Sequence, residues 1–262
     1  MAAPVVFIHG LWLHASSWTP WVELFAEQGY APVAPTWPGE AESVDATREN
    51  GAAMNNVGID EVTDHYTALV AELPAPPILV GHSFGGLIAQ RLLGRGLGRG
   101  CVALAPAPIK GVVGLTRSQV AAVAPVLSRP WLKSRTWTHT PQSFAKHFAN
   151  GVPRAESDDI YAAYVIPAPC RPLFQAAVSN VVPHSPAAVD TTAARGPLLL
   201  LGGGADRTVP ASSVRGAYKI QQRTVGVTEI EIMDGRGHSF PVDSGWRAAA
   251  EKTLEFLAEH RM

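Results

Sequence analysis

Leu79-Val80-Gly81-His82-Ser83-Phe84-Gly85-Gly86 is the stretch that decides the fold. The apolar run Ile78-Leu79-Val80 stops at a serine with glycine two residues to either side, and helical spacing begins at once with Phe84, Leu87, Ile88 and Leu92. This pattern predicts a strand, a sharp turn and a helix. A serine on so tight a turn sits in strained backbone geometry, and side chains at positions 81 and 85 would collide with the neighbouring turn. The turn lifts the Ser83 hydroxyl clear of the sheet and sets it at a helix N-terminus, where unpaired N–H groups favour a developing negative charge.

On the N-terminal side, Val5-Val6-Phe7-Ile8 ends at His9-Gly10 and reads as a buried strand of a parallel sheet. Ser16 or Ser17 is positioned to cap a helix carrying Trp18, Trp21, Val22, Leu24 and Phe25. Ala31 to Pro35 is a weak strand because proline donates no ladder hydrogen bond. Residues 36–58 read as an extended loop, and Ile59, Val62, Tyr66, Leu69 and Leu73 as a helix.

On the C-terminal side, Cys101 to Ala105 is another buried strand, after which the alternation of strand and helix stops. Residues 106–195 are rich in proline and aromatic side chains. So long a structureless loop is foreign to a compact domain, so the segment reads as a helical insertion. The alternation resumes with a strand at Leu198 to Leu201, a helix around Ser212 to Gln222, an edge strand at Thr228 to Met233 and a closing helix from Ser244 to His260. Six strands with intervening helices predict a three-layer α/β fold on a mostly parallel sheet. The core then comprises residues 1–105 and 196–262.

Composition narrows the function. The 262 residues carry a formal net charge of −1 with no basic stripe, so nothing favours nucleic acid or an anionic membrane surface. There are two cysteines, Cys101 and Cys170, and neither a CxxC pattern nor HExxH spacing, which argues against a metal site. Gly202-Gly203-Gly204 lacks the spacing and following lysine of a phosphate loop, so no cofactor is expected. The chain enters a strand directly after Met1-Ala2-Ala3, with no apolar leader pattern, and a cytoplasmic protein is expected.

A serine hydroxyl is a poor nucleophile at neutral pH; it needs a base to remove its proton and a third group to hold that base. With Gly81-His82-Ser83-Phe84-Gly85 as GxSxG, the chain resembles the α/β-hydrolase superfamily, in its serine esterase and lipase-like branch. The resemblance is carried by four segments in order: HGLW at 9–12, GHSFGG at 81–86, GGGADRTVP at 202–210 and GRGHSF at 235–240. It implies the order nucleophile, acid, base, with acid and base on the loops after the last two strands. Asp206 and His238 occupy those loops. The alternative position for the acid, after the strand at 101–105, reads Ala-Pro-Ala-Pro and holds no carboxylate, while Asp234 and Asp243 suit a turn or a cap.

The oxyanion hole is expected from the N–H of Phe84 and, by the resemblance of His9-Gly10-Leu11-Trp12 to the superfamily's HGxx segment, that of Leu11. Trp12 and His14 are near enough in sequence to line the acyl pocket. The resemblance makes residues 106–195 the cap over the active site. His9 and His82 read as structural.

One departure stands out: Trp37-Pro38-Gly39-Glu40-Ala41-Glu42-Ser43 puts Glu40 where the superfamily often has histidine in PGHGxS. The leading expectation is a serine carboxylic-ester hydrolase acting on a small, mostly uncharged or apolar ester. The same three residues also serve lactone or carbon–carbon bond hydrolysis or perhydrolase chemistry, and a non-catalytic binding protein on this fold is a third reading.

Overall fold

The computed structural model describes residues 2–114 and 116–262. In chain order, β1 (Pro4–Ile8) leads through a 3₁₀ turn at Ala15–Trp18 to α1 (Thr19–Glu27) and β2 (Ala31–Val33). Next come α2 (Val44–Glu49), a 3₁₀ turn at Gly51–Met54, α3 (Ile59–Ala71), β3 (Ile78–His82), α4 (Phe84–Gly94) and β4 (Gly100–Leu104). Between β4 and the next strand of the main sheet lie α5 (Arg117–Leu127), a 3₁₀ turn at Pro130–Ser134, β5 (Thr136–Trp137), α6 (Pro141–His147), α7 (Arg154–Tyr164), β6 (Ala168–Pro169) and α8 (Arg171–Ala177). The chain closes with β7 (Leu198–Gly203), α9 (Ala211–Gln221), β8 (Thr228–Met233) and α10 (Trp246–Glu259).

The six-stranded sheet runs in the order β2-β1-β3-β4-β7-β8, and every neighbouring pair is parallel. β1, β3 and β4 are buried along their whole length, which is why they read as unbroken apolar runs rather than alternations. Chain composition also sets the edges. Pro32, opposite Val5, lies in the outermost strand β2 and leaves that side of the sheet without a donor. At the other edge, β8 alternates Ile230 and Ile232 with Glu229 and Glu231, whose carboxylates meet His260 at 2.8 Å and Lys252 at 3.9 Å.

Register carries the strand ends to a common edge. Ile8 lies opposite Gly81, His82 opposite Leu104, and Gly203 opposite Met233. The loops after β1, β3, β7 and β8 therefore open on the same side of the sheet, where an open α/β sheet places its ligands.

Two local expectations are corrected. Residues 36–58 are not simply extended: Ser43 caps α2 by accepting the Ala46 N–H at 3.2 Å, and Thr47 ties back to the carbonyl of Ser43 at 2.8 Å. Neither Ser16 nor Ser17 caps α1. His14 caps the 3₁₀ turn before it, its Nδ1 accepting the Ser16 N–H at 3.1 Å, and Pro20 starts the helix without a donor to satisfy. Cys101 and Cys170 are free thiols, both buried. No described helix is long and apolar enough to cross a membrane.

Candidate active site

Ser83 sits between β3 and α4 with φ 55° and ψ −120°, a backbone region that costs a side-chain-bearing residue energy and is held here from several directions. Its N–H donates to the Leu104 carbonyl at 2.9 Å, and its carbonyl accepts from Ala107 at 2.8 Å and Leu87 at 3.2 Å. The glycines have steric jobs: a Cβ on Gly85 would run into the Ile8 and His9 carbonyls, and one on Gly10 would lie 2.7 Å from the Ser83 Cβ. The loop after β1 is thus packed directly against the serine.

His238 and Asp206 meet beside this turn. Nδ1 of His238 donates to Asp206 Oδ2 at 2.7 Å, and both side chains are fully buried. The second carboxylate oxygen of Asp206 accepts the N–H groups of Thr208 at 2.8 Å and Val209 at 2.7 Å, so the loop fixes the acid before the acid fixes the ring. Nε2 of His238 is buried without a partner, and no hydrogen bond joins it to Ser83 Oγ. His82 reaches the same ring: its Nε2 donates to the His238 carbonyl at 3.0 Å, with the two imidazole centroids 4.7 Å apart. Burial, and then the proximity of His238, hold His82 well below the usual histidine range, so it stays neutral beside the base. Asp243 takes the local role expected of it, pairing with Arg236 and accepting from Ser239 Oγ at 3.0 Å, and Asp234 is exposed.

Neither the Leu11 N–H nor the Phe84 N–H meets a protein acceptor among the described residues. The loop that carries Leu11 is anchored from beneath. His9 Nδ1 donates to the Gly10 carbonyl at 2.9 Å, and its Nε2 lies 3.0 Å from Glu40 Oε2, the glutamate side chain being fully buried. Glu40 also accepts the Trp37 N–H at 3.0 Å, and Trp37 Nε1 donates to the His9 carbonyl at 3.1 Å. The glutamate that departs from PGHGxS therefore has a definite partner.

Residues 106–195 press on this site. Phe148 is edge-on to the ring of His238, Thr208 Oγ1 donates to the His147 carbonyl at 2.9 Å, and Asn150 Nδ2 donates to the Ala205 carbonyl at 2.8 Å. Between this segment and the sheet edge is a cavity of about 250 Å³ whose wall includes Ser83, Phe84 and Trp12. Trp12 stands at φ 70°, its indole donating to the Trp137 carbonyl at 3.2 Å.

His14 is not on that wall. Its Nε2 donates to the Ala41 carbonyl at 3.0 Å and its Nδ1 accepts from Ser16, so both nitrogens are spent holding loops. Sequence reasoning missed His139, which does line the cavity, its ring centroid 4.4 Å from that of Trp12. Burial, then the charges of His147 and His238, push His139 down to about 3, so it too is a neutral group. No spacing motif singles it out.

Comparison with known proteins places the chain. Residues 5–252 match the family described as the alpha/beta hydrolase family. A methylesterase from Arabidopsis superposes with a TM-score of 0.69 at 16% identity, covering 98% of this chain and 99% of the other. A pyrethroid hydrolase from Sphingobium faniae does so with a TM-score of 0.67 at 16% identity, over 98% and 97%. A monoacylglycerol lipase from Paleococcus ferrophilus gives 0.66 at 22%, over 98% and 94%. No curated protein sequence matches this chain.

Proposed function

The chain belongs to the alpha/beta hydrolase family, and from that membership we propose a serine hydrolase that cleaves small, uncharged or apolar carboxylic esters through an acyl-enzyme on Ser83. The observation that carries this reading is the 2.7 Å contact of His238 Nδ1 with Asp206 Oδ2, fully buried and on loops that share a sheet edge with Ser83. The esterase and lipase names of the Arabidopsis and Paleococcus proteins are consistent with it.

In the proposed reaction, rotation about the Ser83 Cα–Cβ bond brings Oγ to the unpartnered Nε2 of His238. Catalytic hydrogen bonds are often long in unliganded sites and tighten when substrate binds. Nε2 takes the hydroxyl proton as Oγ attacks the ester carbonyl. The oxyanion is held by the N–H groups of Leu11 and Phe84, and Asp206 stabilises the imidazolium. The imidazolium then gives its proton to the departing alkoxide, which leaves as alcohol. A water, deprotonated by the same nitrogen, attacks the acyl carbonyl and frees the acid and the serine. Residues 1–105 and 196–262 form the catalytic core in this reading and residues 106–195 the cap, with Trp12 on the pocket wall.

The test is turnover of p-nitrophenyl butyrate by the Ser83→Ala variant. The proposal expects a loss of about three orders of magnitude or more in kcat with an unchanged fold by circular dichroism. Turnover at the wild-type rate would refute it.

A further inference from the structure

We propose that the turn from Arg129 to Arg135 docks the protein on an anionic lipid surface, with Trp131 entering the headgroup region and three cations meeting the lipid phosphates. The stretch reads Arg129-Pro130-Trp131-Leu132-Lys133-Ser134-Arg135 and contains the 3₁₀ turn between α5 and β5. Leu132 alone is tucked in, against the core, and the other residues of the stretch are exposed. Trp131 is 69% exposed, while the remaining tryptophans of the chain are buried or half-buried. An indole combines a large apolar face with one N–H donor, which suits the boundary between headgroups and acyl chains.

The formal net charge of −1 conceals where the charge lies. No aspartate or glutamate occurs between Glu72 and Glu156, so the balance of the whole chain, which shows no basic stripe, does not describe this segment. Arg129, Lys133 and Arg135 make no ion pair among the described residues. α5 and α8, the helices packed against the turn, contain no acidic residue to neutralise them. Other exposed cations are tied down: Arg95 by Asp64, Arg154 by Asp158 and Arg171 by Glu61. Three unpaired cations around an exposed indole call for a partner that is negative at its surface and apolar beneath it, which is an anionic lipid layer.

The chain favours lipid over nucleic acid. Sequence-independent binding of single strands uses a long basic groove and several aromatic platforms, whereas one aromatic side chain stands here on one short turn. The turn is also continuous with the cavity: α5 supplies Ala122, Val123 and Leu127 to its wall and runs directly into Arg129. Docking sets that wall beside the acyl region of the lipid, the phase in which an apolar ester concentrates. Binding needs no turnover, so this inference and the hydrolase reading fail separately.

The test is flotation of the full chain with vesicles of phosphatidylcholine alone or with about one-third phosphatidylglycerol added. The wild type is expected to partition about tenfold or more better onto the anionic vesicles and to be released by about 0.5 M salt. The triple variant Arg129→Glu, Lys133→Glu, Arg135→Glu is expected to lose that preference, and Trp131→Ser to bind about tenfold less, both with unchanged circular dichroism. An environment-sensitive fluorophore on Ser134→Cys, selective because Cys101 and Cys170 are buried, is expected to shift to the blue when anionic vesicles are added. Wild type that floats with neither vesicle, or equally with both, overturns the proposal whether or not the variants fold. Preference retained by the triple variant, or fluorophore emission unmoved by vesicles, overturns it for this turn. Binding to single-stranded RNA without binding to vesicles overturns it in favour of an anionic polymer.

Discussion

The ring of Phe148 stands edge-on to the imidazole of His238, with centroids 4.7 Å apart. Phe148 is itself stacked on Phe144 at 4.8 Å and is 1% exposed, so the segment outside the main sheet braces the ring it covers. Aromatic edge-to-face contacts of this kind add to the apolar area buried. Truncation to Phe148→Ala is expected to lower unfolding free energy by about 3 kcal/mol and to loosen the His238 ring. Denaturant titration checks the first effect; a fall in kcat larger than any rise in KM checks the second.

Glu40 holds the underside of the loop that carries Leu11 through its contacts with His9 and Trp37. Removing one member of a buried polar pair leaves the other without compensation, a loss of about 3 kcal/mol. Glu40→Ala is therefore expected to unfold at lower denaturant and, because the proposed oxyanion donor moves with the loop, to lose about tenfold in kcat with KM less affected. Thermal or chemical melts and steady-state kinetics measure both.

Acid acts on the buried imidazoles. His139 is held down to about 3, first by burial and then by the charges of His147 and His238, against 6.5 for the free group. The unfolded chain gains a proton at this residue that the folded chain refuses, so the stabilising contribution is complete above pH 6.5 and lost as pH falls towards about 3. His82, also held well below its ordinary range, adds in the same direction. Melting temperatures measured from pH 7.5 to pH 4 are expected to fall less steeply in His139→Gln than in wild type.

How much the chain revealed follows the reach of each interaction. The elbow, the buried strands and the two loops bearing Asp206 and His238 were legible because their signals are local: apolar runs, glycines beside a serine, a carboxylate or histidine just past a strand. α2 was not, since six residues give too few turns for a periodic pattern, and only the Ser43 cap announces it. His14 misled because closeness in sequence to Leu11 implied closeness to the pocket. The chain reverses at Trp12, φ 70°, and ties His14 to Ala41 instead. The partners of Phe148 and Glu40 lie far along the chain, and a single sequence does not say which of many aromatics or carboxylates meets which loop.

The most direct measurement of the central claim is tryptic mapping by tandem mass spectrometry after treatment with a fluorophosphonate, in wild type and in His238→Ala. The account predicts one adduct, on Ser83, formed rapidly in the wild type and slowed about a thousandfold or more when the base is removed. An adduct on another residue, no adduct at all, or equal labelling rates in the two proteins would contradict it.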